Sequence, residues 1–472
     1  MTAVPARLER FFVPDSPTQQ LAARLRTAGH SSFLVGGSVR DALIDRDIDD
    51  VDIATDARPD TIEALVRPWA DAVWLQGQRF GTVGAAKGGD RFEITTFRAD
   101  VYRPESRKPE VTFSDDIETD LSRRDFTVNA MAIALDDADC AGPRIVDPFD
   151  GLADLAARLL RTPLAPEVSF EDDPLRMLRA ARFVATLGFE PDAVLVDAIT
   201  KMHERLQIVS AERVRDELSK LLVASDPSSG LWLCSRTGLS DEFLPDLNAM
   251  QLEQDPIHRH KDVLAHTIAV VAKTSPRLRI RLAALLHDVG KPRTRGYGPQ
   301  GVTFHHHEVV GARMARERML TLRYPNDLVD DVTRLVDLHL RFHTYRMGWT
   351  DSAVRRYVRD AGPLLDDLNE LTRCDCTTRD ARKAAALGHR MDELEARIAE
   401  LREREELAKI KPALDGNRVM QFLGVKPGPV VGDALDFLLE LRLEEGPMSE
   451  AEAETRLAEW ARERGLGPPA SA

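Results

Sequence analysis

Asp50 and Asp52 stand one residue apart, shortly after a Gly36-Gly37 turn. In an extended segment residues i and i+2 project to the same side, so the two carboxylates can face the same metal ions. The turn closes the apolar run Phe33-Leu-Val35 and precedes a helical pattern. Glycine lets the backbone come close to a phosphate, and a helix N-terminus offers free N–H groups. A phosphate cradle beside paired carboxylates suits two-metal nucleotidyl transfer, with ions roughly 3.5–4 Å apart clamping the attacking and leaving oxygens. Gly36, Gly37 and Arg40 are the candidate phosphate-binding residues, and Glu93 on Phe92-Glu-Ile-Thr-Thr-Phe97 is the candidate third carboxylate. An isolated acidic pair is also common in solvated loops, so the chemistry must be carried by further residues.

Two downstream segments supply them. Arg124, Asp125 and Asn129 are polar groups set among apolar ones, with Asp125 and Asn129 at the spacing of one helical turn. An arginine suits a triphosphate, and an acid with an amide suits ribose hydroxyls; a helix start with its capping acid is the alternative. Asp172-Asp173-Pro174-Leu175-Arg176 then opens a helix in which Arg176, Arg179 and Arg182 recur every three residues. Pro174 fits a first helical position with Asp173 as N-cap. A carboxylate and a guanidinium three apart can also read a base edge. Aspartate accepts from an exocyclic amine while arginine donates to the neighbouring ring acceptor. Cytosine and adenine offer that pattern; guanine and uracil offer the reverse and would leave buried groups unpaired. Such a pair selects C and A without a template. A solvated arginine face is the plainer alternative.

The elements that must position these residues fall into two styles. Strands are expected over Ser32–Val35, Val51–Ala54, Ala72–Leu75, Thr82–Ala86 and Phe92–Phe97, and helices over Thr18–Ala28, Ser38–Ile44 and Pro59–Val66. Beyond Pro163 the pattern is helical. Leu387, Met391, Leu394, Ile398 and Leu401 repeat at spacings of four and three, as in a helix packed along one seam of its own chain. The Pro427-Gly-Pro429 segment breaks the last helical region. The fold class is therefore α+β: a small mixed sheet with helices, followed by an all-α remainder. At 472 residues three or four domains are expected. Four scattered cysteines, no signal-peptide pattern and no membrane-length apolar run point to a reducing cytoplasm. A net charge of −14 excludes whole-surface attraction to nucleic acid but leaves room for a local basic groove.

Taken in order, Gly36-Gly-Ser-Val-Arg-Asp41, Asp50-Val-Asp52, Arg124-Asp-Phe-Thr-Val-Asn129, Asp173-Pro-Leu-Arg176 and Glu212-Arg-Val-Arg-Asp-Glu217 closely resemble the bacterial CCA-adding tRNA nucleotidyltransferase and poly(A) polymerase family, the class II branch of the polymerase-β-like superfamily. The resemblance implies a nucleotidyltransferase head at 1–165, a base- and RNA-binding neck at 166–250, an HD domain at 251–380 and a helical tail at 381–472 with possible tRNA contacts. It implies magnesium on Asp50 and Asp52, base reading by Asp173 and Arg176, and tRNA, CTP and ATP as partners. Many members carry Glu-Asp where this chain has Asp172-Asp173, which leaves the role of Asp172 open. Poly(A) addition and A-only or C-only addition are the alternatives within the same chemistry.

A second constellation is independent of the first. His266, His287-Asp288, His307, His339 and Asp375 are spread over helical sequence, and ligands from several helices often converge on a metal in a bundle interior. Imidazole with carboxylate suits Mn, Fe, Co, Ni or Zn. The set, with His307-Glu308-Val-Val-Gly311 and Val336-Asp-Leu-His339, resembles the HD phosphohydrolase domain, which implies metal-dependent cleavage of a phosphoester. A chain acting mainly as such a hydrolase, with the head only binding substrate, is the alternative from another class. His258, His260, His305 and His306 lie outside the pattern and are expected at the surface. A tail turn near Gly416 and Lys426 is a weaker candidate for backbone phosphate.

Overall fold

The computed structural model describes residues 6–466 except 49, 104–105, 136–143, 253–261, 299–300, 345–348, 377–379, 406 and 408–409. His258 and His260 lie outside the described residues. The chain divides into two compact units, Met1–Asn248 and Ala249–Ala472.

The first unit is built on a seven-stranded mixed sheet of order β3-β4-β5-β2-β1-β8-β9. Its strands are β1 (Ser32–Val35), β2 (Asp50–Thr55), β3 (Ala72–Trp74), β4 (Thr82–Lys87), β5 (Asp90–Thr96), β8 (Ala132–Ala134) and β9 (Ile145–Val146), and β6 (Arg98–Arg103) pairs with β7 (Ser106–Phe113) as a separate hairpin. Alternation decides the two faces. Val51, Ile53, Phe92 and Ile94 are fully buried on one, against which Trp69 sets its ring edge-on to Phe92 at 5.5 Å. Asp50, Asp52, Arg91 and Glu93 take the other, open face. Each expected strand and helix of this region is present to within about two residues, the usual uncertainty of an element end. β6, β7, β8 and β9 were not among the expected strands.

Beyond the sheet the unit is mainly helical, with Pro166–Asp172, Leu175–Leu187 and Ala211–Leu222 nearest the head and a short strand Glu190–Pro191, paired with Leu159–Leu160, departing from the helical expectation. The middle helix buries Met177, Leu178, Ala181 and Phe183, and Phe183 meets Phe126 of the head edge-on at 5.4 Å. The expected N-cap is close to what is found: the helix begins one residue later, and Asp173 accepts from the Leu175 amide at 3.2 Å.

The second unit is helical apart from a hairpin of strands Arg295–Gly298 and Gly301–Phe304, a departure from the all-helical expectation. Helices Val263–Lys273, Leu278–Leu286, His307–Thr321, Asn326–Leu338 and Leu365–Asp375 enclose one core. The long helix Ala381–Arg404 buries Met391, Leu394, Ile398 and Leu401 along the expected seam, against helices of its own chain. After it, helices Gly416–Leu423, Pro429–Glu445 and Glu450–Glu463 pack around Val419, Leu438, Leu457 and Trp460. A buried ionic triad joins these parts: Arg355 lies 3.0 Å and Arg442 2.6 Å from the carboxylate of Glu405. No helix among the described residues is long and apolar enough to cross a membrane.

Candidate active site and metal centre

The head site is assembled where β1 turns into helix Gly37–Leu43. Gly36 has φ +66°, and a Cβ there would stand 2.7 Å from the Arg124 guanidinium and 3.4 Å from the Asp52 carboxylate. Only glycine permits that approach. Ser38, next in the turn, donates to the Asp50 carbonyl at 3.0 Å and accepts from the Asp52 amide at 2.9 Å. It thereby pins the helix start to the strand carrying both acids. Register places Asp52 opposite Glu93 and Asp50 opposite Arg91, so all three carboxylates share the open face. Their oxygens do not converge as a preformed trio among the described residues; Asp50 instead lies 3.5 Å from Arg91. Burial raises the Asp52 carboxyl to about 6 against the opposing pull of Arg124, with Glu93 and Asp50 adding to the rise. A cation between these acids would relieve that repulsion, which is the fit expected of a divalent metal site.

The neighbouring segment is a 3-10 turn at Thr127–Asn129, not the helical turn the spacing suggested. The contact survives: Asn129 donates to Asp125 at 2.9 Å. Arg40 donates to Asn129 and to Asp41, with its guanidinium 5.1 Å from the Phe183 ring. Arg124 and Arg123 both engage buried Asp120.

The arginine ladder is not one face with one job. Arg176 is buried, donating to Ser169 Oγ at 2.8 Å and to the Arg123 carbonyl. Arg179 bridges Asp125 and Glu217, and Arg182 pairs with Glu217 at 2.6 Å. Burial works against ionised Asp125, but Arg179 and the Asn129 hydrogen bond hold it well below the usual carboxylate range. Asp173 keeps Oδ1 on the Leu175 amide and Oδ2 at 2.6 Å from Arg213. The helix with Asp173 and Arg176 is thus docked onto the segment adjoining the head carboxylates. Ser38, Asp120, Arg213 and Glu217 were given no role at the sequence level, although Arg213 and Glu217 lie in a motif quoted above.

The second centre is buried. His266, His287 and Asp375 form one trio of possible ligands, and Asp288, His307 and His339 another; within each trio the ligand atoms lie within 4.8 Å of one another. All six expected residues are therefore brought together in two adjoining groups. His287, His307 and His339 each donate Nδ1–H to a backbone carbonyl, of Ala284 at 2.8 Å, Phe304 at 2.7 Å and Val336 at 2.6 Å. Such bonds fix the tautomer and turn Nε2 inward as a ligand. His287 Nε2 sits 3.2 Å from Asp288 and 3.5 Å from Asp375 yet makes no hydrogen bond to either, and the Nε2 atoms of His307 and His339 face each other at 3.2 Å. Burial opposes charge on His287, but Asp288 and Asp375 overrule it and push its pKa up to about 10; burial and that positive neighbour push His339 down to about 3. Imidazoles and carboxylates converging in this way are a donor set that suits a divalent metal cation. Lys291 is 2.7 Å from Asp288. His305 and His306 are exposed.

A sheet bearing paired acids behind a Gly-Gly turn, with an arginine-bearing helix docked on the neighbouring segment, defines the nucleotidyltransferase class, here followed by a histidine-rich cluster able to hold metal. Family models agree: Poly A polymerase head domain over residues 32–161, Probable RNA and SrmB- binding site of polymerase A over 188–251, and HD domain over 263–402. The chain is 34% identical over 447 residues to an A-adding tRNA nucleotidyltransferase of Deinococcus radiodurans, covering 91% of this chain and 95% of that one. It is 40% identical over 220 residues to a CCA-adding enzyme of Lactobacillus gasseri, a match that spans 46% of this chain and only about half (53%) of that relative. The Bacillus stearothermophilus CCA-adding enzyme in complex with CTP matches with TM-score 0.70 and 25% identity, covering 98% of this chain and 99% of that one. The chain belongs to the tRNA nucleotidyltransferase and poly(A) polymerase family and carries an HD domain. Both domain types imply dependence on divalent metal.

Proposed function

We propose that this protein adds CCA to tRNA 3′ ends without a template, drawing on CTP and ATP. What supports the reading is that the helix carrying Arg176 is held by the Arg179–Asp125 pair on the segment whose Arg124 stands against Gly36, the turn that also approaches Asp52. A base reader made of protein, fixed next to the site of phosphoryl chemistry, dispenses with a template strand.

The reaction joins the tRNA 3′-oxygen to the α-phosphorus of the incoming nucleotide and releases pyrophosphate. Asp50 and Asp52, with Glu93 at hand, would hold magnesium, which when bound would neutralise the charge that develops during the transfer. Gly36 and Gly37 let the triphosphate approach the backbone, and Arg124 and Arg40 offer the counter-charge. Asp125 and Asn129 address the ribose. Asp173 accepts from the amine of cytosine or adenine while Arg176 donates to the adjoining ring nitrogen. For that, Arg176 must turn from Ser169 and the Arg123 carbonyl, a rearrangement that ties base recognition to movement of the neck helix. We assign the head to 1–165, the neck to 166–250, the HD domain to 251–380 and the tail to 381–472, with the tail contacting tRNA and the protein acting in the cytoplasm. At the HD centre, Mn, Ni, Co, Fe or Zn held by the two trios would serve hydrolysis of a phosphoester, with Lys291 beside Asp288.

Purified protein with tRNA transcripts ending before CCA, after C and after CC, given CTP and ATP separately and together, tests the reading. Growth by CCA and then arrest is expected. Extension only of the CC-ending transcript, by one A, would instead establish A addition, the second reading, which the full-length similarity to the Deinococcus enzyme favours. A long A tail would overturn both.

A further inference from the structure

Two rows of paired residues cross the open face of the head sheet. In one, Trp74 pairs with Gly84, Gly84 with Glu93 and Glu93 with Asp52. In the other, Ala72 pairs with Ala86, Ala86 with Arg91 and Arg91 with Asp50. Directly paired residues project to one side of a sheet, so Trp74 and Arg91 share the face of the catalytic acids. Gly84 leaves a gap in the first row, and the indole fills it: a Cβ on Gly84 would stand 1.9 Å from the indole Nε1. Trp74 is only half-buried there, and the Arg91 guanidinium lies 5.5 Å from its ring centre and is itself two-thirds exposed (66%).

Of the groups assigned to the incoming nucleotide, Gly36 and Arg40 follow β1, on the side of β2 away from β5, and Arg124 stands against Gly36. Displacement at phosphorus holds the attacking and leaving oxygens roughly in line. Pyrophosphate that departs toward Gly36 and Arg40 therefore requires an attacking hydroxyl arriving over β5 and β4. The strand that brings this hydroxyl carries a base next to it. We propose that Trp74, seated in the gap at Gly84, is the stacking platform for the terminal base of the accepting RNA strand, and that Arg91 takes a phosphate of its backbone. The assignment rests on the head being a transferase that extends an RNA 3′ end. A π-platform suits a strand whose last base changes with each addition, because every base has a face to stack.

A tRNA acceptor minihelix with 2-aminopurine as its terminal base reports stacking directly, titrated into the full-length protein. Wild type and Trp74→Phe should quench it. Trp74→Ala should lose the quench and bind the RNA roughly 5- to 100-fold more weakly, with the KM for CTP unmoved. Gly84→Ala, which keeps the indole but fills its seat, should reproduce the loss. Arg91→Gln should keep the quench and flatten the dependence of log Kd on log salt by about 0.7. An unchanged quench in Trp74→Ala, or an equal rise in the KM for CTP and for RNA, would overturn the assignment. Failure of the wild type to extend any RNA would instead overturn the underlying transferase reading.

Discussion

The two candidate metal sites of this chain solve one problem in opposite ways. In the head, strand alternation places Asp50 and Asp52 on an open face, and their neighbour Glu93 comes from the adjacent strand. Asp50 has a side chain 46% exposed and is turned to Arg91. In the HD centre, six residues between His266 and Asp375 come from five helices or their ends, and Asp288 is 1% exposed. The first arrangement leaves room for a triphosphate and a polymer end and waits for them to complete the ligand set. The second is assembled in advance and held by backbone hydrogen bonds. An open site spends little folding energy on its ligands and relies on substrate to organise them; a closed one stores that organisation in the fold.

Crossed variants break the comparison most sharply. Asp52→Ala removes a ligand from the charge-neutralising site, several kcal/mol of transition-state stabilisation, so nucleotide incorporation should fall by roughly 10^3-fold or more. Asp288→Ala should leave incorporation intact while abolishing retained transition metal, measured by elemental analysis after gel filtration. If either variant damages both sites, the two centres are not independent. Arg176→Ala comes next: selectivity between CTP and UTP in kcat/KM should drop about 5- to 150-fold, the worth of one bidentate base contact. Unchanged selectivity would mean that Asp173 and Arg213 read the base alone. The smallest effect concerns pH. An ion needs the deprotonated ligand, so protons compete with it below the ligand's pKa. For Asp52, near 6, the head's metal requirement should rise about tenfold per unit below pH 6 and be level above it. For His287, near 10, metal loading of the HD centre should keep rising through neutral pH. Matching profiles for the two centres would contradict the contrast drawn from their burial.

Much of this was legible in the residues because it is local. Asp50 and Asp52 alternate with Val51 and Ile53, which is the signature of a half-buried strand, and His287-Asp288 closes an apolar helix. What eluded the sequence is contact between distant residues. The run Ala132-Ile-Ala134 is too short and too uniformly apolar to show a strand, so β8 was missed. Arg176, Arg179 and Arg182 share a spacing, but their partners on Ser169, Asp125 and Glu217 depend on packing between helices. Trp74 and Gly84 carry no motif; only register brings them together.

The Arg355–Glu405–Arg442 triad has a consequence for how such a chain can be shortened. Glu405 is held ionised below the usual carboxylate range, burial being outweighed by the two guanidiniums that flank it. Cutting the chain before Arg442 would take away one of the two guanidiniums on Glu405 and, with it, the Leu443 and Glu444 carbonyls to which Arg355 donates. The last helices are thus bound into the ledger of the preceding ones. A protease that nicks the tail should therefore release a destabilised remainder in place of a free-standing enzyme.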